Sequence, residues 1–186
     1  MKRAFTLVIL LILLCGCSKG DNEFDRAMLL RTDLLNANGC SFTAKVTADF
    51  SDRTYTFAMR CQADRNGNVT FEVLEPDYIS GIQGEISYDE GKLVFEDIAL
   101  AFGLQTDGLI SPVSAPWVLI RALRGGYMRY CGQEEQLLRL TVDDSYEEDA
   151  LMLDIWIGAD NKPVQADIYE NNRRILTLVV SDYQLL

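Results

Sequence analysis

The sequence predicts an α+β domain: a single curved antiparallel sheet of about nine to eleven strands, with two short helices on its concave face. Three observations predict it. Apolar and polar residues alternate through about ten short segments, each bounded by turn residues. Two other segments, Phe24–Ala37 and Trp117–Leu123, carry helical spacing. Neither helical segment belongs to a repeating strand-helix-strand pattern, so a parallel sheet is excluded. A sheet this wide must curl, because strands twist.

The elements follow in chain order. Phe24, Ala27, Met28, Leu34 and Leu35 fall near one helical face, with Asn22 as a cap and Asn38-Gly39 as a stop. From Cys40 the period becomes two: Cys40, Phe42, Ala44, Val46, Ala48 and Phe50 alternate with polar residues. Ser51-Asp52 turns the chain, and Tyr55, Phe57, Met59 and Cys61 continue the pattern. Pairing Phe50 with Arg53 sets Cys61 opposite Phe42. A three-residue loop, Arg65-Asn66-Gly67, then sets Cys61 opposite Phe71 and Met59 opposite Val73, which keeps the apolar sets on one face. Val69–Leu74 ends at Pro76. Ile82–Tyr88 and Lys92–Glu96 form a hairpin around Asp89-Glu90-Gly91. Regularity breaks over Leu100–Val113. Ser114-Ala115-Pro116 then opens a short apolar helix that Gly125-Gly126 stops. The remaining strands are expected near Tyr127–Tyr130, Leu137–Val142, Ala150–Ile157, Val164–Glu170 and Arg173–Val180. The Asn171-Asn172 turn places Ile168 opposite Ile175 and Val164 opposite Val179.

Composition removes several function classes. The chain has 186 residues, 48% hydrophobic and 24% charged, which suits one globular domain. Its net charge of −11 lacks the basic footprint that nucleic-acid binding needs. It contains no histidine, so Ser-His and Cys-His dyads and His-based zinc sites are excluded. No nucleophile elbow, phosphate loop or dinucleotide fingerprint is present. Neither an enzyme, a cofactor nor a metal is expected.

The N-terminus reads as an address. Lys2 and Arg3 precede an apolar run from Ala4 to Leu14 that is too short to span a bilayer. It ends Leu14-Cys15-Gly16-Cys17, which resembles a bacterial lipobox with Gly16 at the small position and Cys17 as the acceptor of diacylglycerol. The expected organisation is a signal peptide over 1–16, a lipidated cysteine and tether over 17–22, and a folded domain over 23–186. The domain is then held beside the cell membrane on its extracytoplasmic side, the outer surface in a Gram-positive cell. Five extended tether residues reach at most roughly 17 Å.

Helix, hairpins, an apolar helix and more hairpins behind a lipobox resemble the LolA/LolB-like half-barrel of lipoprotein carriers and lipid-binding lipoproteins. The stretches Phe71-Glu72-Val73-Leu74-Glu75-Pro76, Ile79-Ser80-Gly81-Ile82 and Ser111-Pro112-Val113-Ser114-Ala115-Pro116-Trp117 resemble uncharacterised lipoproteins of Gram-positive anaerobes and, distantly, the germination lipoprotein GerS. The resemblance implies a LolA-like half-barrel over nearly all of the mature chain, and no catalytic residues.

The candidate site is the concave face. Phe42, Val46, Tyr55, Phe57, Met59, Phe71, Val73 and Leu153 are its expected wall, and Trp117, Ile120 and Leu123 its plug. Two readings stand side by side. A cavity would take an acyl chain, lipid or other apolar small molecule. A filled core would leave an adaptor for an envelope or cell-wall protein. Gly103, Gly108, Gly125 and Gly126 bracket the plug, as hinges or as plain turns. Cys40, Cys61 and Cys131 are either all reduced or include a Cys61–Cys131 disulfide. Asp143, Asp144, Glu147, Glu148 and Asp149 read as a solvated acidic turn, with a calcium site as the sharper alternative. Arg121, Arg124 and Arg129 read as salt-bridge partners, with an anionic headgroup as the sharper alternative.

Overall fold

Alternation along each strand decides which face is buried. In β1 (Gly39–Asp49), Cys40, Phe42, Ala44, Val46 and Ala48 are 0–2% exposed, while Lys45 between them is open to solvent. The same holds for β2 (Thr54–Asp64), β3 (Val69–Glu75) and β4 (Gln83–Ile86), and β5 (Gly91–Phe95) and β6 (Ile98–Phe102) extend the sheet. The computed structural model describes residues 20–50, 53–88, 91–95, 98–102, 105–106, 109–147 and 150–186, and within these the side chains outside 20–21 and 94–110. The expected signal segment and Cys17, the Ser51-Asp52 turn, Asp89, Glu90, Gly103, Gly108, Glu148 and Asp149 lie outside the described residues.

The second run of strands is β9 (Tyr127–Glu134), β10 (Leu137–Asp143), β11 (Met152–Ile157), β12 (Pro163–Glu170) and β13 (Arg173–Leu185). The order across the sheet is β6-β5-β4-β3-β2-β1-β13-β12-β11-β10-β9, antiparallel throughout. A small separate ribbon pairs β7 (Gln105–Thr106) with β8 (Leu109–Ile110). The strands therefore leave from β1 to one edge, and return from the opposite edge to β13, which pairs with β1. The chain between β6 and β9 must cross from edge to edge. Helix α2 (Ala115–Gly125) is part of that crossing and lies against β2, β10 and β13. Helix α1 (Gly20–Asn36) packs on β9, β1 and α2. This is the curved antiparallel sheet with two helices that the sequence predicts.

The registers expected for the first hairpins are met: Phe42 faces Cys61, Cys61 faces Phe71 and Met59 faces Val73. Gly67 adopts a φ of +90°, as the three-residue loop requires. Gly84 stands opposite Phe71, and a Cβ there would come within 2.4 Å of the ring. The last hairpin differs. Ile168 faces Leu176, and Val179 faces Gln165, because the register shifts after Tyr169 faces Arg174. The shift lets both Arg174 and Thr177 reach the carboxylate of Asp167, at 3.1 and 2.8 Å.

α1 also departs from expectation. It starts at Gly20, so Asn22 is inside it rather than a cap. Ala27, Leu30 and Leu34 form its buried stripe, while Phe24, Met28 and Leu35 face solvent. The buried stripe is tied down by charge. Arg31 donates to the carbonyls of Leu123 (2.9 Å), Gly126 (2.9 Å) and Ala122 (3.3 Å) at the C-terminal end of α2, the last of which also accepts the Gly126 N–H. Arg26 donates to the carbonyl of Gly158.

Cys40, Cys61 and Cys131 are free thiols, which corrects the Cys61–Cys131 pairing. Cys61 is on β2 and Cys131 on β9, with β1, β13, β12, β11 and β10 between them. Burial pushes the Cys40 thiol up to about 11 and raises Cys61 further. Burial likewise raises the Tyr183 hydroxyl. Two predictions follow from these groups. At pH 8, an aromatic disulfide reagent should label half-buried Cys131 in the native domain, and Cys40 and Cys61 only after denaturation. Rapid native labelling of Cys40 or Cys61 would show that the core packing is wrong. Stability should also fall at alkaline pH. The folded state holds the Cys40 proton to about 11 and the unfolded chain to 9.0, so this stabilisation is complete below pH 9 and is lost between 9 and 11. The loss from this one thiol is roughly 2–3 kcal/mol. Urea unfolding at pH 8 and 10.5 measures it, and Cys40→Ala should flatten the fall.

Candidate functional site

The expected cavity wall and plug do come together. Phe42, Val46, Phe57, Met59, Phe71, Val73 and Leu153 lie on one side, and Trp117, Ile120 and Leu123 on the other; all are 0–8% exposed and belong to one continuous core. Val118, Leu119 and Ala122 of α2 are buried as well. Tyr55 is the exception and a correction. It is 45% exposed, near the start of β2, with its ring edge-on to Phe50 at 6.1 Å. The alternation that carries Phe57 and Met59 inward continues to Tyr55, but the core does not reach that far.

The helix and sheet separate at one place. A cavity of about 260 Å³ lies between α2 and the β2–β3 hairpin, lined by Asn66, Gly67, Asn68, Tyr88, Trp117, Arg121, Arg124 and Gly125. Its sides are set by local structure. Asp64 accepts from the backbone N–H of Asn66 (2.8 Å) and Asn68 (2.9 Å) and from the Asn68 carboxamide (3.0 Å), which shapes the hairpin tip. Although burial works against it, these bonds hold the Asp64 carboxyl below its ordinary pKa. The run Asp64, Asn66, Asn68 is thus used to build a turn. Arg121 lies over the rings of Trp117 (5.3 Å) and Tyr88 (5.5 Å) and pairs with Asp144 at 3.6 Å. Arg124 extends along Gly67 and donates to the Arg65 carbonyl at 2.8 Å.

The acidic turn is partly consumed by such pairs. Asp143 accepts from Arg129 at 2.6 Å. Asp144 accepts the Leu151 N–H at 2.9 Å; burial raises its carboxyl pKa against the pull of Arg121. Among the described residues no cluster of acids and cysteines is arranged to hold a metal.

Sequence reasoning missed the charges on the outer face. Asp154 and Asp167 stand opposite each other on β11 and β12, each 3% exposed. Asp154 accepts from Arg139 (2.8 Å) and Thr141 (2.7 Å), and Asp167 from Arg174 and Thr177. Each is saturated by its own partners, which makes these ties between strands rather than an acid-base pair. The available signal was aspartate at outward positions inside apolar strands. A second cavity, about 440 Å³, is a polar groove across the outer face of β2–β5, where Arg60 and Glu72 pair at 3.1 Å. No helix among the described residues is long and apolar enough to cross a membrane.

No family model and no curated protein matches the chain. Among solved structures, it is similar to a LolA superfamily protein from Nitrosomonas europaea, at 9% identity over 86% of this chain and 93% of that one, with a TM-score of 0.46. It is similar to the lipoprotein LppX from Mycobacterium tuberculosis, at 13% identity over 89% and 96%, TM-score 0.42. It is also similar to a chain in the structure of the CwlD amidase from Clostridioides difficile in complex with the GerS lipoprotein, at 12% identity over 92% and 98%, TM-score 0.44. These are likenesses of outline. The half-barrel itself is read from the strand order and the edge-to-edge helix.

Proposed function

We propose that the chain is an extracytoplasmic lipoprotein, moored by Cys17, that acts as an adaptor for an envelope protein. One observation supports this reading most: the concave face is covered by the chain's own helix, while large apolar side chains face outward on another side. Phe24, Met28 and Leu35 form a second stripe along α1, with Phe24 50% exposed. Tyr146 packs on Tyr127 of the edge strand β9 at 6.0 Å, and both are exposed. Exposed aromatic and apolar residues are enriched at protein interfaces. The stripe starts close to the anchor, so a partner docked there would also be held at the membrane.

A second reading keeps the cup as a lipid site, and the cavity beside Trp117 supports it. An apolar chain entering there would have to displace α2 from the sheet. The two readings predict opposite results. A photo-crosslinking side chain at Met28 should capture one defined envelope protein in cells, and the same probe at Lys45 on the outer face should not. Phe24→Asp should abolish the capture with little change in thermal stability. Native mass spectrometry after incubation with diacylglycerol, an acyl lipid without an oxyanion headgroup, should show no mass beyond the covalent anchor. Stoichiometric retained lipid, with no crosslink at Met28, would replace the adaptor by the lipid carrier.

A further inference from the structure

The cavity between α2 and the β2–β3 hairpin carries polar groups that an apolar chain entering there would leave unused. We infer that it is a binding site for an oxyanion, a phosphate or carboxylate group, gripped between Arg124 and an Arg121 that the faces of Trp117 and Tyr88 hold in place. Two guanidinium groups and two asparagines line a space of about 260 Å³, and no carboxylate is among the described lining residues. In a chain of net charge −11 this is a local reversal of sign.

The two arginines are placed differently from three on the sheet. Arg129, Arg139 and Arg174 each bond a carboxylate at 2.6–3.1 Å. Arg121 meets Asp144 only at 3.6 Å, and Arg124 meets no carboxylate among the described residues. Arg124 spends Nη2 on the Arg65 carbonyl, while its Nη1 is buried with no acceptor among the described residues. A buried charged donor without an acceptor is costly, and an oxyanion oxygen is the acceptor that satisfies it best. Gly67 matters here for a second reason: a Cβ at that position would come within 3.2 Å of the Arg124 Nε and press on the guanidinium. The Trp117 and Tyr88 rings hold Arg121 in place before any ligand arrives, which lowers the ordering cost of binding. Asn66 and Asn68 form the opposite rim, with Asn68 already engaged by Asp64.

The oxyanion can come from a lipid headgroup or from a soluble phosphate, and the test separates them. The full chain in non-ionic detergent is titrated calorimetrically with inorganic phosphate. In parallel it is titrated with phosphatidylglycerol in the same micelles, and with diacylglycerol as a control lacking the phosphate. Saturable binding of either phosphate species, and none of diacylglycerol, is expected. Phosphatidylglycerol alone would assign the headgroup, and inorganic phosphate binding at least as well would assign the soluble anion. Arg124→Gln should weaken the binding by about tenfold or more, the scale of a hydrogen bond to a charged group. Tyr88→Ala, at a position 73% exposed, should weaken it without affecting folding. Binding of neither phosphate species, or binding indifferent to both substitutions, would overturn the site.

Discussion

One topological constraint organises this molecule. The strands run out from β1 to one edge of the sheet and come back from the other, so the chain must bridge the two edges between β6 and β9. It does so with α2 lying across the apolar face. The face that a wide curled sheet would otherwise expose is thereby covered by the connection itself. Eight residues of α2, from Ala115 to Ala122 with Leu123 but without Arg121, are buried in this contact. At typical values, each fully buried large apolar side chain contributes about 1.5–3 kcal/mol, so this contact is a main source of stability.

Charge is arranged around that contact. Arg31 reaches from α1 to the carbonyls that end α2, so the two helices are joined by hydrogen bonds as well as apolar packing. On the outer face, Asp154 and Asp167 are neutralised by Arg139 and Arg174 and stitch β10 to β13. Most described arginines are thus absorbed by the fold. Arg121 and Arg124 stand out because they sit where helix and hairpin diverge and the sheet no longer follows the helix. A ligand there would touch both the plug and the sheet, so the site would couple naturally to any movement of α2.

The fold was largely legible because its information is local. The alternation from Cys40 to Phe50 names a face, and the three-residue loop before Asn68 fixes the register from Cys61 to Phe71. The last hairpin was not legible, since its shift serves Asp167, a residue on a different strand. The apolar stripe of α1 was misjudged for a related reason. Of the expected face, Ala27 and Leu34 are buried, but burial is decided by what the helix lies against, so Leu30 joins them while Phe24, Met28 and Leu35 face solvent. At the candidate site, the wall residues were readable from pattern, with Tyr55 as the overreach. The stacking of Arg121 between Tyr88 and Trp117 joins segments far apart in sequence, and no periodicity announces it.

Amide hydrogen exchange of α2 measures the central claim most directly. If the helix is the filling of the half-barrel, the amides of Leu119–Leu123 should exchange only through global unfolding, at the same opening free energy as the central strands β1 and β13. Exchange of those amides at a distinctly lower free energy, with β1 and β13 still protected, would show a lid that lifts from a standing sheet and would contradict it.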